Sequence, residues 1–364
     1  MLFFPTLALA FWHGHKAPLK GAAHFQVPML VEGFTPVVEV TRNGQTFHFL
    51  IDTGSDESVI PNDLVPDVPA GKNAELMLGP FPIHARTVSR EEWKGFTNDK
   101  LDGLLGAPDM ANLAVGIDFD KGKADFWRRD LTKGEIKGWL QANDSTLNEV
   151  PLTRLNDGLL DVGCDSNGKD FRAIIDSGSN LNQVPVGFAI PEAWANLSDT
   201  RVSTNFDSET VSIYLAPKIT VNGEDFQWKM IGMDPPSDPE GDPKEGLVAP
   251  SSFWGPRFII DFRAHKLDAK VSSSPNQDLR MALSDMLRRP VELSHGKATI
   301  KKGVEVTAIA GVPVQTLLDG VNQPEQMRQT LADLYYKSEH GCNVDLIING
   351  MPTRATIPIS IPLE

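Results

Sequence analysis

Two short segments of this chain carry residues that can do acid–base chemistry. One reads Phe47-His48-Phe49-Leu50-Ile51-Asp52-Thr53-Gly54-Ser55, the other Phe171-Arg172-Ala173-Ile174-Ile175-Asp176-Ser177-Gly178-Ser179. In each, an apolar run delivers an aspartate into a turn of Thr or Ser, then Gly, then Ser. A single such turn says little, because Asp before Gly at a strand end is commonly a turn residue. Here there are two copies, 124 residues apart. If they meet, the two carboxylates cannot both ionise at ordinary pH, and one proton is shared. The ionised member can take a proton from a water, and the protonated member can donate to a carbonyl oxygen as charge develops there. Such a pair hydrolyses an amide with no metal, no cofactor and no covalent intermediate.

The neighbours of each aspartate suit that use. Gly54 and Gly178 allow a tight turn and a close approach by another stretch of chain. The hydroxyls of Thr53 and Ser177 can bond backbone across the boundary between the two copies. Those of Ser55 and Ser179 are expected to donate to the outer carboxylate oxygen. Further along, Gly103-Leu104-Leu105-Gly106 leads to Ile117-Asp118-Phe119, and Gly246-Leu247-Val248-Ala249 leads to Ile260-Asp261-Phe262. Fifteen residues separate Gly103 from Asp118, and fifteen separate Gly246 from Asp261. A β-branched residue and a proline close each first element, as Ile60-Pro61 and Val184-Pro185.

The elements that must position these residues read as β-strands. Val37–Val40 and Phe47–Ile51 flank the turn Asn43-Gly44, and Leu159–Val162 and Phe171–Ile175 flank a turn at 165–168. Alternating apolar runs around such turns are hairpins. Ile219–Val221 and Phe226–Trp228 repeat the plan around Asn222-Gly223. The acidic stretch at 165–170 lacks the remaining ligands and closing Glu of a calcium loop. Residues 234–245 are rich in Pro and charge, which reads as a surface loop.

At these residues the chain resembles the aspartic peptidase clan, closest to bacterial retropepsin-like sequences with the lobe duplicated. Asp52-Thr53-Gly54, Asp176-Ser177-Gly178 and the apolar-apolar-Gly element at 104–106 carry the resemblance, which spans roughly residues 25–272. It implies a mainly β, bilobal pepsin/retropepsin-like fold, a peptide-binding cleft between lobes, and a water held by Asp52 and Asp176. Two departures stand out. Ala249 takes the place of the usual Gly, which needs a backbone without positive φ. No Tyr precedes Tyr214, so a flap over the cleft must be of the retropepsin type, and 76–83 with Gly79-Pro80 at its tip is the segment expected to form it.

Composition changes near residue 278. A helix is expected over Asp278–Arg289 and another over Gln323–Lys337, with a closing hairpin at 344–348 and 353–361 around Asn349-Gly350. Ile300–Val314 resembles part of a PDZ core, although the Gly-rich loop that captures peptide C-termini is not found. The expected organisation is therefore a tail or weak signal segment at 1–24, lobes at 25–144 and 145–272, and a small α+β PDZ-like domain at 278–364.

The net charge of −14 argues against nucleic acid or an anionic membrane as partner. Two distant cysteines, Cys164 and Cys342, give no disulfide framework. His13 and His15 lack further ligands for a metal site. The apolar run at 1–12 is too short to span a bilayer. Ala8-Leu9-Ala10 suits a signal-peptide cleavage site, but no basic residue precedes the run, so export stays open.

Two readings follow. In the first, the chain is an aspartic endopeptidase acting on peptide or protein as a monomer, since both aspartates lie in one chain. In the second, it is an inactive protease-fold protein that binds peptides through its cleft and C-terminal module. The intact pair of triplets favours the first.

Overall fold

The computed structural model describes residues 23–32, 35–93, 101–179, 182–185, 187–192, 194–203, 208–233, 245–270, 275–287, 291–294, 296–301, 304–321, 341–356 and scattered positions in 327–338. Most of the N-terminal segment lies outside them, with His13 and His15. So do 234–244, much of the helix expected at 323–337 and the end of the closing hairpin.

The chain is mainly β. The first half contains β1 (His24–Glu32), β2 (Thr35–Arg42), β3 (Gln45–Ile51), β4 (Val59–Pro61), β5 (Asn73–Leu78), β6 (Phe81–Val88) and β7 (Gly103–Leu105). The short helix α1 (Ala107–Met110), β8 (Ala114–Asp118), β9 (Lys123–Trp127) and α2 (Lys133–Leu140) complete it. The second half contains β10 (Leu147–Pro151), β11 (Thr153–Arg154), β12 (Leu160–Ser166), β13 (Lys169–Ile175), β14 (Asn182–Gln183), β15 (Ala195–Ser203), β16 (Ser208–Val221) and β17 (Glu224–Met233). It closes with β18 (Gly246–Val248), α3 (Pro250–Trp254), β19 (Arg257–Asp261) and β20 (Lys266–Lys270).

Pairings of the first half recur in the second. β3 lies parallel to β7, with Ile51 opposite Leu105, and β13 lies parallel to β18, with Ile175 opposite Val248. β4 runs parallel to β6 and β14 parallel to β17. β4 meets β7 antiparallel as β14 meets β18. The two halves join in one sheet, where β8 and β19 pair antiparallel with Ile259 opposite Gly116. The matched Ile-Asp-Phe segments thus fall at the ends of the two strands that join the halves.

Alternation explains the burial. Along β5 and β6, Ala74, Leu76, Leu78, Ile83 and Ala85 are fully buried, and Phe81 nearly so. The hairpin expected to be a flap does form, with Gly79-Pro80 at its turn, but it belongs to the barrel core. A Cβ on Gly79 would lie 3.4 Å from the Phe25 ring. Its counterpart by pairing is β16–β17. The second half has an additional long hairpin, β15–β16, with Ala195 opposite Leu215 and Ser203 opposite Ser208.

The C-terminal residues form α4 (Pro275–Leu287), β21 (Glu292–Ser294), β22 (Lys297–Lys301), β23 (Val304–Ile309), β24 (Val312–Pro313), α5 (Val314–Gly320), β25 (Asn343–Ile348) and β26 (Met351–Thr356). Leu279, Leu283 and Leu287 recur at four-residue spacing on one face of α4. They pack with Val304, Val306, Leu317, Val344 and Leu346, and Leu215 of β16 joins the same cluster.

Candidate active site

Each aspartate follows directly on a buried central strand. The Asp52 N–H donates to the Leu105 carbonyl at 3.0 Å, and the Asp176 N–H to the Val248 carbonyl at 2.9 Å. These bonds extend the parallel pairings by one residue and fix where each carboxylate begins. The apolar pairs Leu104-Leu105 and Leu247-Val248 therefore anchor the aspartates through backbone.

The two turns face each other. A Cβ on Gly54 would lie 2.6 Å from Cγ of Asp176, and one on Gly178 would lie 2.8 Å from Cγ of Asp52. No side chain fits at either place, so glycine here serves close approach. Each carboxyl group thus lies against the opposite turn. Gly178 and Ser179 donate their N–H groups to Oδ1 of Asp176 at 2.8 and 3.1 Å, and the Gly54 N–H reaches Oδ1 of Asp52 at 3.1 Å. Asp52 is 3% exposed, while Asp176 is half-buried. Burial pushes the Asp176 carboxyl above the usual range, opposed by those N–H groups and by Asp52.

Reciprocal bonds lock the turns together. Thr53 Oγ1 donates to the Ile175 carbonyl at 2.7 Å and accepts the Ser177 N–H at 2.9 Å. Ser177 Oγ donates to the Ile51 carbonyl at 2.6 Å and accepts the Thr53 N–H at 3.2 Å. All of these groups are buried, so each bond satisfies a polar atom that water cannot reach. Ser55 behaves differently from expectation. Its hydroxyl donates to the Glu57 carbonyl at 2.8 Å rather than to the carboxylate, because that carbonyl folds back within reach two residues on. Ser179 meets the aspartate through its backbone N–H.

Behind each turn sits a second pair that sequence reading passed over. The Gly106 N–H donates to Ser58 Oγ at 2.9 Å, and the Ala249 N–H donates to Asn182 Oδ1 at 2.9 Å. Ser58 and Asn182 each lie six residues after their aspartate, and that equal offset of hydrogen-bonding side chains was the available signal. Gly106 has φ −84° and Ala249 φ −76°, so neither needs positive φ and alanine is conformationally acceptable. What demands glycine at 106 is the Glu57 carbonyl oxygen, 2.3 Å from where a Cβ would stand. Glu57 itself is held by Arg86 through two bonds of 2.5 and 2.6 Å.

Residues 34–94 match the family model of the retroviral aspartyl protease. The matched stretch runs through β2, β3, β4, β5 and β6 and includes Asp52-Thr53-Gly54-Ser55. It supports an aspartic protease relationship for this part of the chain. Asp176 lies beyond it. No curated protein matches the chain.

Among the described residues, no group of three or more His, Cys, Asp or Glu side chains is placed to hold a metal ion, and no helix is long and apolar enough to cross a membrane. Cys164 is buried and Cys342 half-buried, and both are free thiols. Burial pushes the Cys164 thiol up to about 12, which removes thiolate character.

Proposed function

We propose that the chain is an aspartic endopeptidase in which Asp52 and Asp176 form one catalytic pair. The observation that carries this reading is the reciprocal packing of Gly54 and Gly178 against the opposite carboxylate. That arrangement favours one shared proton. The ionised carboxylate removes a proton from a water whose oxygen attacks the peptide carbonyl carbon. The protonated carboxyl donates to the carbonyl oxygen, giving a neutral tetrahedral diol. Proton return to the amide nitrogen then lets the C–N bond break and releases acid and amine. Two lobes, about 25–144 and 145–272, supply one aspartate each, so a single chain suffices. Residues 278–364 are read as a separate PDZ-like module packed on the second lobe.

The test is digestion of denatured casein between pH 3 and 7, with and without pepstatin, beside Asp52→Asn. Pepstatin-sensitive cleavage that the variant loses is the expected result. Equal cutting by both chains removes Asp52 from the site. Peptide binding by both chains without cutting supports an inactive binding protein instead.

A further inference from the structure

The Asp52 turn is tied down on two sides. On one side it meets the residues around the end of β7. The Asp52 N–H donates to the Leu105 carbonyl at 3.0 Å, the Ala107 N–H to the Ser55 carbonyl at 2.9 Å and the Gly106 N–H to Ser58 Oγ at 2.9 Å. On the other side it meets β6 through Arg86. The Arg86 N–H donates to the Ser58 carbonyl at 2.8 Å. Its Nε and Nη2 donate to Oε2 and Oε1 of Glu57 at 2.6 and 2.5 Å. One residue thus grips both Glu57 and Ser58. A planar guanidinium that meets a carboxylate through two bonds fixes angle as well as distance.

Glu57 is where that grip reaches the aspartate. Its carbonyl accepts the Ser55 hydroxyl at 2.8 Å and occupies the space that a Cβ on Gly106 would need, 2.3 Å away. The Ser55 N–H bonds the Asp52 carbonyl at 3.4 Å. A run of contacts therefore joins Arg86 to Asp52 through Glu57 and Ser55. The Asp176 turn can hold no such ion pair. Leu181 stands five residues after Asp176, as Glu57 stands five after Asp52. Gly232 pairs with Gln183 as Arg86 pairs with Val59, and Gln183 and Val59 each lie seven residues after their aspartate. Asp176 Oδ1 accepts the N–H groups of Gly178 and Ser179, where Asp52 Oδ1 accepts that of Gly54.

Resting on the paired-aspartate reading, we infer that the Arg86–Glu57 ion pair positions Asp52 for the reaction, holding its turn so that the carboxyl stays against Gly178. The two side chains are 35% and 36% exposed, and an ion pair at such a surface adds little to folding stability. Its use is in placement, because a shift of about 1 Å in a reacting group costs on the order of 10²-fold in rate. Arg86 and Glu57 are positioning residues that act through Ser55 and the backbone of the turn. Glu92 lies 3.8 Å from Nη1 of Arg86, a second acid within reach, so removal of Arg86 loosens the turn more than removal of the Glu57 charge.

Steady-state hydrolysis of a casein peptide by the full chain tests this, with urea unfolding of each variant alongside. Arg86→Met is expected to lower kcat about tenfold while KM stays within about twofold of the parent, and Glu57→Gln to lower kcat less. Arg86→Lys, which keeps the charge without the fork, should recover part of the loss. Exchange of the two residues, Arg86→Glu together with Glu57→Arg, should recover more activity than either substitution alone. Urea midpoints should stay within the ordinary range for surface changes, which a purely structural pair would not allow alongside such a fall in kcat. A kcat of Arg86→Met within about twofold of the parent overturns the positioning role while the aspartate pair survives. So does a fall in kcat that neither Arg86→Lys nor the exchanged pair reduces. If Arg86→Met fails to fold, Glu57→Gln decides alone: a parent-like kcat there overturns the inference. A parent chain that cleaves no faster than Asp52→Asn overturns the paired aspartates and this inference together.

Discussion

The Asp52 turn and the Asp176 turn are built to the same backbone plan with different side chains. Both follow a buried strand, both extend a parallel pairing by one N–H to carbonyl bond, and both place a glycine against the opposite carboxylate. Yet Gly106 becomes Ala249 and Ser58 becomes Asn182. The fixed quantity is therefore the set of backbone donors and acceptors that must be satisfied in a buried turn. Any side chain of suitable reach can meet it. The halves also differ in scale, since the second adds the β15–β16 hairpin where the first passes from β4 to β5 through a short 3-10 turn at Asn62–Leu64.

The sharpest contrast is between positions 106 and 249. Gly106→Ala forces a Cβ onto the Glu57 carbonyl, and overpacking of that kind costs about 1–3 kcal/mol or more. Ala249→Gly creates no clash; it adds backbone freedom, about 0.5–1 kcal/mol, and removes one buried methyl. Urea unfolding of both variants measures the difference, and equal losses would mean that the halves are constrained alike. Thr53→Val comes next. It removes two of the four bonds of the reciprocal lock and leaves the Ile175 carbonyl and Ser177 N–H buried without that partner, for about 1–3 kcal/mol. A loss below 0.5 kcal/mol on the same assay, where roughly ±0.5 is the ordinary range for surface changes, would show that the lock is not a stabilising link.

A smaller effect separates β20 and β9, the strands that flank the β19–β8 pair of the joining sheet. Asp125 on β9 is held by Trp139, Lys123 and His24. Its counterpart Asp268 on β20 pairs with Lys266 at 3.1 Å. Burial pushes Asp268 up to about 6, opposed by Lys266. Its folded form therefore binds protons that the unfolded chain releases between about pH 4 and 6. Stability attributable to this group is complete below pH 4 and is lost as pH rises through 6. After allowance for solvent screening the change is about 1–2 kcal/mol. Thermal melts from pH 4 to 7 should show this decline, and Asp268→Asn should flatten it. An undiminished slope in the variant would assign the pH dependence to other groups.

Much of this was legible in the sequence where periodicity is strong. The strands leading into Asp52 and Asp176, the hairpin turns at Asn43-Gly44 and Asn222-Gly223, and the helix after residue 275 lie at or close to where pattern placed them. The hydrogen bonds of Thr53 and Ser177 across the two turns were likewise foreseeable from residue type and symmetry. The 76–83 hairpin was read as a cover because turn chemistry reveals a hairpin without revealing which face is buried. Only the pairing of β6 with β4 shows that it lies in the barrel. Ser58 and Asn182 were missed because a lone polar residue in an apolar run has no period. Ser55 was misassigned because a hydroxyl in a tight turn finds the nearest carbonyl first.

The most direct test of a site made from both halves of one chain is peptide hydrolysis by purified Asp52→Asn and Asp176→Asn, each alone and the two mixed in equal amounts. Loss of a positioned acid or base costs about 10²–10⁴-fold, and each variant alone and their mixture are predicted to lie at least that far below the parent. Cleavage by either variant near the parent rate would exclude its aspartate from the chemistry, and recovery of activity on mixing would show that the site is shared between chains.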